Sequence, residues 1–398
     1  MSAAGFLEKY LGGAIVELVP LDRLVKTVTP PSKAQKNDYR EQGRNPIVDQ
    51  GANFIAGYAD ESFEPVASDE YVIFGDHSEH IKYVDFAFVQ GADGLKILKP
   101  EGGHPRYIYH ALLNFYQKTG NYKRHWSKAK ETLIPIPCPN DPEKSLAIQR
   151  EIVRILDSFT ELTAELTAEL TARKKQYNHY RDQLLTFDED QVEWKTLGDV
   201  SLKSYSGATP KAGSVKYYEG GTIPWLRTQE VVFSDIHGTE VKITQAALDE
   251  TAAKWVPANC VIIAISGATA GRSGINKIPL TTNQHCCCLE IDPAQADYRY
   301  VFHWVSRNYE NLKDMGQGAR GDLNSGLIKG FKIPIPHPND PKKSLAEQAR
   351  IVAILDTFDT LTTSISEGLP REIELREKQY AYYRDLLLSF PKPDAEAA

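Results

Sequence analysis

The 398-residue sequence has no apolar run approaching the length of a membrane span. Its opening, Met1 to Gly13, has neither a basic n-region nor an apolar h-region. A secretory leader is therefore not expected there, and a cytoplasmic protein is. Cysteines number only 5, three of them adjacent as Cys286-Cys287-Cys288, an awkward basis for disulfides. Reduced thiols are the simpler expectation. Excess positive charge is missing too. The 46 Lys and Arg against 53 Asp and Glu leave a net charge of −7, which argues against a simple basic nucleic-acid-binding module.

Signatures of nucleotide, metal and catalytic sites are incomplete. Gly267-Ala-Thr-Ala-Gly271-Arg-Ser is one residue short of a phosphate-binding loop and carries Arg272 where that loop has lysine. A structural glycine turn, or one presenting Arg272 and backbone amides to a phosphate, fits better. Gly316-Gln-Gly-Ala-Arg-Gly321 has dinucleotide-fingerprint spacing but follows a helical stretch rather than a strand. His285 lies beside the three cysteines, yet no second ligand pair completes a metal site. Adjacent strand residues also point to opposite faces, so buried thiols and no metal are expected. His77 has no nucleophile or second acid spaced to make it catalytic.

What is present is an ordinary globular composition, 41% apolar and 25% charged, at a length suited to two domains. Positive charge is local. Arg23, Lys26, Lys33, Lys36, Arg40 and Arg44 form one cluster; Lys118, Lys123, Arg124, Lys128 and Lys130 form another with no acid between them. Either cluster could be a solvated face.

The dominant feature is an internal repeat. Ile134-Pro-Ile-Pro-Cys-Pro-Asn-Asp-Pro-Glu-Lys-Ser-Leu-Ala147 returns as Ile333-Pro-Ile-Pro-His-Pro-Asn-Asp-Pro-Lys-Lys-Ser-Leu-Ala346. Ile152-Val-Arg-Ile-Leu-Asp-Ser-Phe159 returns as Ile351-Val-Ala-Ile-Leu-Asp-Thr-Phe358, and Tyr180-Arg-Asp returns as Tyr383-Arg-Asp. The offset grows from 199 residues at the start (Ile134 to Ile333) to 203 at the end (Tyr180 to Tyr383). More faintly, Arg106-Tyr107 and His110 match Arg299-Tyr300 and His303. The globular regions differ while the helical segments nearly agree: two similar frames hold two dissimilar surfaces.

In each frame the prolines impose an extended approach and Asn-Asp-Pro turns the chain into a helix. Ser344 with Glu347 reads as a capping box, and Ser145 as a lone cap. The first helix carries Ile152, Leu156, Phe159, Leu166, Leu170, Tyr177, Tyr180 and Leu184 in alternating steps of four and three, with polar seam positions at Thr163 and Arg173. The second carries Ile351, Leu355, Phe358, Ile365, Leu369, Tyr380, Tyr383 and Leu387, with a kink or break expected at Gly368 and Pro370. A plain core helix could show such a stripe, but its length favours a coiled coil in which each helix is the other's antiparallel partner. The expected fold is thus α+β: two mixed α/β domains separated by two long antiparallel helices, in a pseudo-two-fold repeat. The expected boundaries are a helical stub over 1–14, a first domain over 15–137, a spacer helix over 138–187, a second domain over 188–336, a second spacer over 337–390 and a tail over 391–398.

This arrangement resembles the specificity subunit of type I restriction-modification systems over essentially the whole chain. The most specific parts are the twin Ile-Pro-Ile-Pro segments, the tract Thr163-Ala-Glu-Leu-Thr-Ala-Glu-Leu170, and Gly368-Leu-Pro-Arg-Glu-Ile373 leading to Lys378-Gln-Tyr-Ala-Tyr-Tyr-Arg-Asp385. Weaker likenesses lie at Ile55-Ala-Gly-Tyr58, Val72-Ile-Phe-Gly-Asp-His77, Gly91-Ala-Asp-Gly94, Gly207-Ala-Thr-Pro210, Gly221-Thr-Ile-Pro-Trp225 and Asn324-Ser-Gly326. The resemblance implies two target-recognition domains, each reading half of a split DNA site. It also implies helices that set the gap and dock two adenine-methylating subunits, with ATP-driven restriction subunits joining the same core. The chain itself lacks the Asn/Asp-Pro-Pro-Tyr/Phe segment of an adenine methyltransferase, and helicase and nuclease signatures too. It is expected to be non-catalytic and to bind no cofactor, leaving S-adenosylmethionine, ATP and Mg to partner subunits.

With DNA as the implied ligand, polar loop residues are the candidates for base and phosphate contact. In the first domain these are Lys33, Lys36, Arg40, Arg44, Gln50, His77, Lys123 and Arg124. In the second they are Lys203, Tyr205, Lys211, Arg227, Gln229, Arg272, Gln284 and Arg320. Each could equally be a solvated structural residue. Trp126, Trp225 and Trp255 are expected in core or edge packing. One Thr-Ala-Glu-Leu unit lengthens a helix by about 6 Å and turns its end roughly 40° past a full turn. That is one to two base-pair steps at about 3.4 Å each and nearly matching twist, which makes the tract a ruler unless it is mere codon slippage. Two other readings stay open: a coiled-coil adaptor whose two heads bind proteins, and an enzyme using the loop at Gly267.

Overall fold

The computed structural model describes residues 14–91, 93–316, 322–363 and 367–390. Most of the expected N-terminal stub, the 391–398 tail, Ile365 and Arg320 lie outside the described residues. The chain divides into two compact units, Met1–Glu165 with Ile373–Ala398, and Leu166–Glu372.

In each unit the head is closed by a two-stranded ribbon made from its own first and last strands. Val16–Pro20 pairs antiparallel with Leu133–Pro137, and Val192–Thr196 with Lys332–Pro336. The last strand of each ribbon is the Ile-Pro-Ile-Pro segment. Proline cannot donate to a ladder, so such a segment is tolerated only where one side of the strand needs no partner, as in a two-stranded ribbon. The isoleucines between the prolines, Ile134, Ile136, Ile333 and Ile335, are buried.

Inside the ribbon the heads share one topology. The first has a four-stranded sheet in the order Val25–Val28, Leu95–Pro100, Tyr71–Gly75, Ile81–Val84. The second has Ser201–Tyr205, Cys286–Ile291, Val261–Ala264 and Ser273–Asn276 in the same sequence of neighbours, extended by Asp235–Ile236. Each head adds a three-stranded sheet whose middle strand, Asn45–Val48 or Ile223–Leu226, has one antiparallel and one parallel neighbour. The cysteine run sits in one central strand: Cys287 packs into one core, Cys286 and Cys288 into another, as strand alternation requires. All five cysteines are free thiols. Trp126 and Trp225 pack as expected, but Trp255 is 45% exposed, a correction to its expected packing.

The helices that matter are α1 (Pro105–Phe115), α2 (Pro142–Leu184), α3 (Tyr298–Arg307), α4 (Pro341–Thr363) and α5 (Gly368–Leu388). At 43 residues, α2 runs for about 65 Å and passes from the first unit into the second. Its cap, and that of α4, lie one turn upstream of the expected serines. Asp141 accepts from the Lys144 amide at 3.0 Å and Asp340 from the Lys343 amide at 3.1 Å. Proline follows each aspartate as the first helical residue, where its missing N–H costs nothing. Glu347 does not reach back to close a capping box; it pairs with Arg350 at 2.7 Å. The second spacer is two helices, as Gly368 and Pro370 suggest. Gly368 has φ +76°, and a Cβ there would lie 2.5 Å from the Thr360 carbonyl oxygen.

The seam is present within each unit. In the first, Ile152 and Leu156 share a core with Leu387 and Leu388, and Phe159 stacks on Tyr383 with centroids 5.2 Å apart. In the second, Ile351 and Leu355 are buried with Leu184 and Tyr177 packed on their core, and Phe358 stacks on Tyr180 at 5.5 Å. Later residues of one helix meet earlier residues of the other, so the helices run antiparallel. Leu166, Leu170 and Leu369 are half-buried. The polar seam position Thr163 satisfies itself by donating to the Phe159 carbonyl at 2.9 Å, and its counterpart Thr362 donates to that of Phe358 at 2.8 Å. Arg173 pairs with Glu169 at 2.7 Å.

Candidate nucleic-acid interface

Each head is fastened to its spacer helix by a matching, part-buried joint. In the first unit, Asp157 on α2 accepts from Arg106 Nη2 and His110 Nε2 of α1, both at 3.0 Å. In the second, Asp356 on α4 receives His303 Nε2 at 2.7 Å and Arg299 Nε at 2.5 Å, both from α3. Burial alone would raise both carboxyls. The histidine hydrogen bond and the guanidinium outweigh it and hold each below the usual carboxylate range. Two turns earlier on each spacer, a buried glutamine repeats the arrangement. Gln149 accepts from the His104 amide at 2.7 Å, Gln348 from the Asp297 amide at 2.9 Å, and each donates its amide to a serine four residues back. Tyr107 and Tyr300 donate to the carbonyls of Pro135 and Pro334 in the ribbons. The faint Arg-Tyr…His match in the sequence is thus the attachment of head to frame. Its partners Asp157 and Asp356 went unrecognised, although they stand at matching places in the repeated Ile-Leu-Asp.

In the first head, four loops converge. Gln50 donates to the Asp93 carbonyl at 3.0 Å, accepts from the His77 amide at 3.2 Å, and its own carbonyl takes the Ser78 hydroxyl. Lys82, buried, donates to the carbonyls of Asp49 and Asn53. Glu79 is buried and accepts from the Tyr116 hydroxyl at 2.6 Å and the Thr119 and Gly120 amides at 2.9 and 2.8 Å. Burial would raise it, yet these hydrogen bonds bring it down to about 2, so it is an anion under the loop at neutral pH. Asp76 accepts from the amides of His125 and Trp126, each at 2.8 Å.

This framework brings several candidates together. Lys33 lies 3.3 Å from Asp93, whose carbonyl accepts from Gln50, and Lys123 and Arg124 are exposed on the loop that Glu79 and Asp76 hold. Lys36 sits over Tyr39, whose hydroxyl donates to Asp49. Arg40 is paired with Asp60 at 2.6 Å, and the exposed Arg44 has no contact with this cluster among the described residues. Gln50 spends its amide inside the protein, as a brace rather than a free reader.

In the second head, Gln284 is exposed, accepts from Thr209 at 2.6 Å and lies 3.1 Å from His285. Gly207 passes so close to the next strand that a Cβ would sit 1.8 Å from the Thr282 carbonyl oxygen, so only glycine fits there. Lys211 and Gln229 are exposed nearby in sequence, while Arg227 is held by Glu230 at 3.4 Å and Glu240 at 2.5 Å. Lys203 lies over the Tyr205 ring and Tyr205 donates to Glu290 at 2.5 Å, which ties both to the strand. Arg272 follows the Gly267–Thr269 turn and makes no ion pair among the described residues. The Gly267 amide is already taken by Asp322 at 3.1 Å, an acid that opposes a phosphate at that amide. Among the described residues no three His, Cys, Asp or Glu side chains are placed to hold a metal, and no helix is long and apolar enough to cross a membrane.

Comparison with known proteins agrees on one group. Residues 189–375 match the profile of the type I restriction modification DNA specificity domain. The chain is 42% identical over 409 aligned positions to the EcoR124I/EcoR124II type I restriction enzyme specificity subunit of Escherichia coli, covering 99% of each. Its fold is like that of the type I restriction-modification S subunit of M. genitalium, with TM-score 0.60 at 16% identity, covering 95% of this chain and 97% of that one. A chain from work on complex assembly and conformational transition of the type I R-M system gives TM-score 0.56 at 14% identity, covering 94% and 97%.

Proposed function

Because this chain belongs to the specificity subunits of type I restriction-modification systems, we propose that each of its heads reads one half of a bipartite, asymmetric DNA site. The spacer helices then set the gap between the half-sites and dock two methyltransferase subunits, to which restriction subunits add. Adenine-N6 methylation is the partners' chemistry, and S-adenosylmethionine, ATP and Mg are held by them. The observation that carries this reading is a single head topology built twice from dissimilar sequences, each copy attached by the same Arg–Asp–His joint. Identical attachment with different loop chemistry is what two different half-sequences require.

Phosphate contact through Lys33, Lys123, Arg124, Lys211 and Arg272 would make affinity fall steeply with salt, despite the acidic total. The helix α2 continues without a break through the Thr163–Leu170 tract, so removing one four-residue unit takes out about 6 Å of rod. Deletion of Thr167 to Leu170 should shorten the gap between the half-sites by one to two base pairs and leave both half-sequences intact. Methylation mapping of host DNA reads this directly. Altered half-sequences with an unchanged gap would refute the ruler.

A further inference from the structure

The loop between α1 and the short helix that begins at Trp126 carries an aromatic side chain that nothing so far employs. Tyr122 is 84% exposed, the most exposed large aromatic among the described residues. Its ring is not loose: it stacks on His77 with centroids 5.1 Å apart and planes 19° from parallel. His77 in turn is fixed. Its amide donates to Gln50, and its ring lies against Gly94, where a Cβ would come within 2.8 Å of Cδ2. Beneath Tyr122 the loop is clamped by Glu79 at Thr119 and Gly120 and by Asp76 at His125 and Trp126. The His125 ring closes it with a 2.8 Å contact to the Asn121 carbonyl.

Exposing an aromatic ring forfeits burial, and immobilising it forfeits entropy. A side chain that does both, with one face backed by an imidazole and the other open, is pre-organised for a flat partner. Its flanks are Lys118, Lys123 and Arg124, all exposed. Cations around an aromatic platform are the combination that binds nucleic acid by stacking, with the cations on phosphates and the ring on a base. An apolar protein surface would not call for three exposed cations at the rim that make no ion pair among the described residues.

We propose that Tyr122 is a preformed stacking contact of the first head, on which one base of its half-site lies after a base step has opened. This rests on the DNA-reading function proposed above. Opening a step costs unstacking, which the Tyr122 face and the extra backbone contacts return. The residue thus contributes affinity and a preference for an easily opened step, by shape rather than by donor and acceptor pattern.

The test uses the chain assembled with its methyltransferase subunits and duplexes bearing the mapped site, with 2-aminopurine placed at one position after another in the first half-site. An adenine extruded for methylation gives its own fluorescence rise, which Tyr122→Ala leaves unchanged. The expected result is a rise at a second position that disappears in Tyr122→Ala and persists in Tyr122→Phe. Affinity should fall about 5- to 100-fold in the alanine variant with an unchanged slope of log K on log salt. Lys123→Ala and Arg124→Ala should instead each reduce that slope by about one. Equal affinity and identical fluorescence in wild type and Tyr122→Ala overturn the proposal. So does affinity loss without a Tyr122-dependent rise, or failure of the alanine variant to assemble, which makes the loop a protein contact. A wild-type complex that binds no duplex overturns the DNA-reading function itself, which is a separate outcome.

Discussion

Glu79 concentrates more of the first head's loop structure than any other side chain there. It is a buried carboxylate at φ +56° that satisfies a hydroxyl and two amides of a loop some 40 residues away in sequence. Because its folded value is lowered from 4.5 to about 2, the unfolded chain binds the extra proton between those values, so stability rises with pH there. Its contribution is complete above roughly pH 5 and fades as pH falls through about 4.5 toward 2. Glu79→Gln puts an amide donor against donors, and should cost on the order of 2 kcal/mol at neutral pH. Denaturant midpoints at pH 7 and pH 3 check it. The variant's deficit should be large at pH 7 and shrink at pH 3; a deficit constant with pH argues against an ionised role.

Between residues and whole heads stand the helices, and their joints can be tested separately. Asp157 and Asp356 each neutralise an arginine and orient a histidine at the contact of head helix with spacer. Removing the Asp157 charge strands the part-buried Arg106 guanidinium, which costs about 2–4 kcal/mol at such a site; Arg299 keeps its pair with Asp235 at 3.1 Å, so loss of the Asp356 charge costs less. Asp157→Asn and Asp356→Asn should each lower the thermal midpoint. Exchanging the pair for a Glu at the same place should not restore it, since the extra methylene displaces the carboxylate. Near-native melting of both Asn variants contradicts the joint. The element scale is also where sequence reading succeeded and failed most visibly. The seam was legible because a heptad pattern is local: Phe159 and Phe358 announce themselves by spacing, and both stack on tyrosines of the partner helix. The break at Gly368 was legible because glycine and proline act locally. The caps were misplaced by a turn, since serine and aspartate are both good caps and only the proline after Asp141 and Asp340 decides between them. Asp157 was overlooked because its partners lie about 50 residues away, a separation that carries no periodicity. The common head topology was hidden for the same reason: strands of two to six residues pair over long distances, and their side chains differ between heads. Tyr122 was missed because an aromatic in a sequence looks the same whether it faces a core or solvent.

At the scale of the molecule, each head begins and ends on its own ribbon, Val16–Pro20 with Leu133–Pro137 and Val192–Thr196 with Lys332–Pro336. Replacing residues 192–332 by the matching stretch of another family member should change one half-site, leave the other half and the gap alone, and preserve assembly with the methyltransferase subunits. Methylation mapping reads all three. A change in both half-sites contradicts the division into independent heads.

The ribbons have one more consequence. The two ends of a head lie side by side in its ribbon, and the closing strand is nearly the same in both copies, Leu-Ile-Pro-Ile-Pro against Lys-Ile-Pro-Ile-Pro, so a genetic crossover there rejoins the chain where the fold tolerates it. A lineage holding a handful of alternatives for each position gains addresses as the product of the two collections rather than their sum. On the proposed reading of one half-site per head, a vocabulary that multiplies in this way needs no new catalytic machinery to change the sequences addressed.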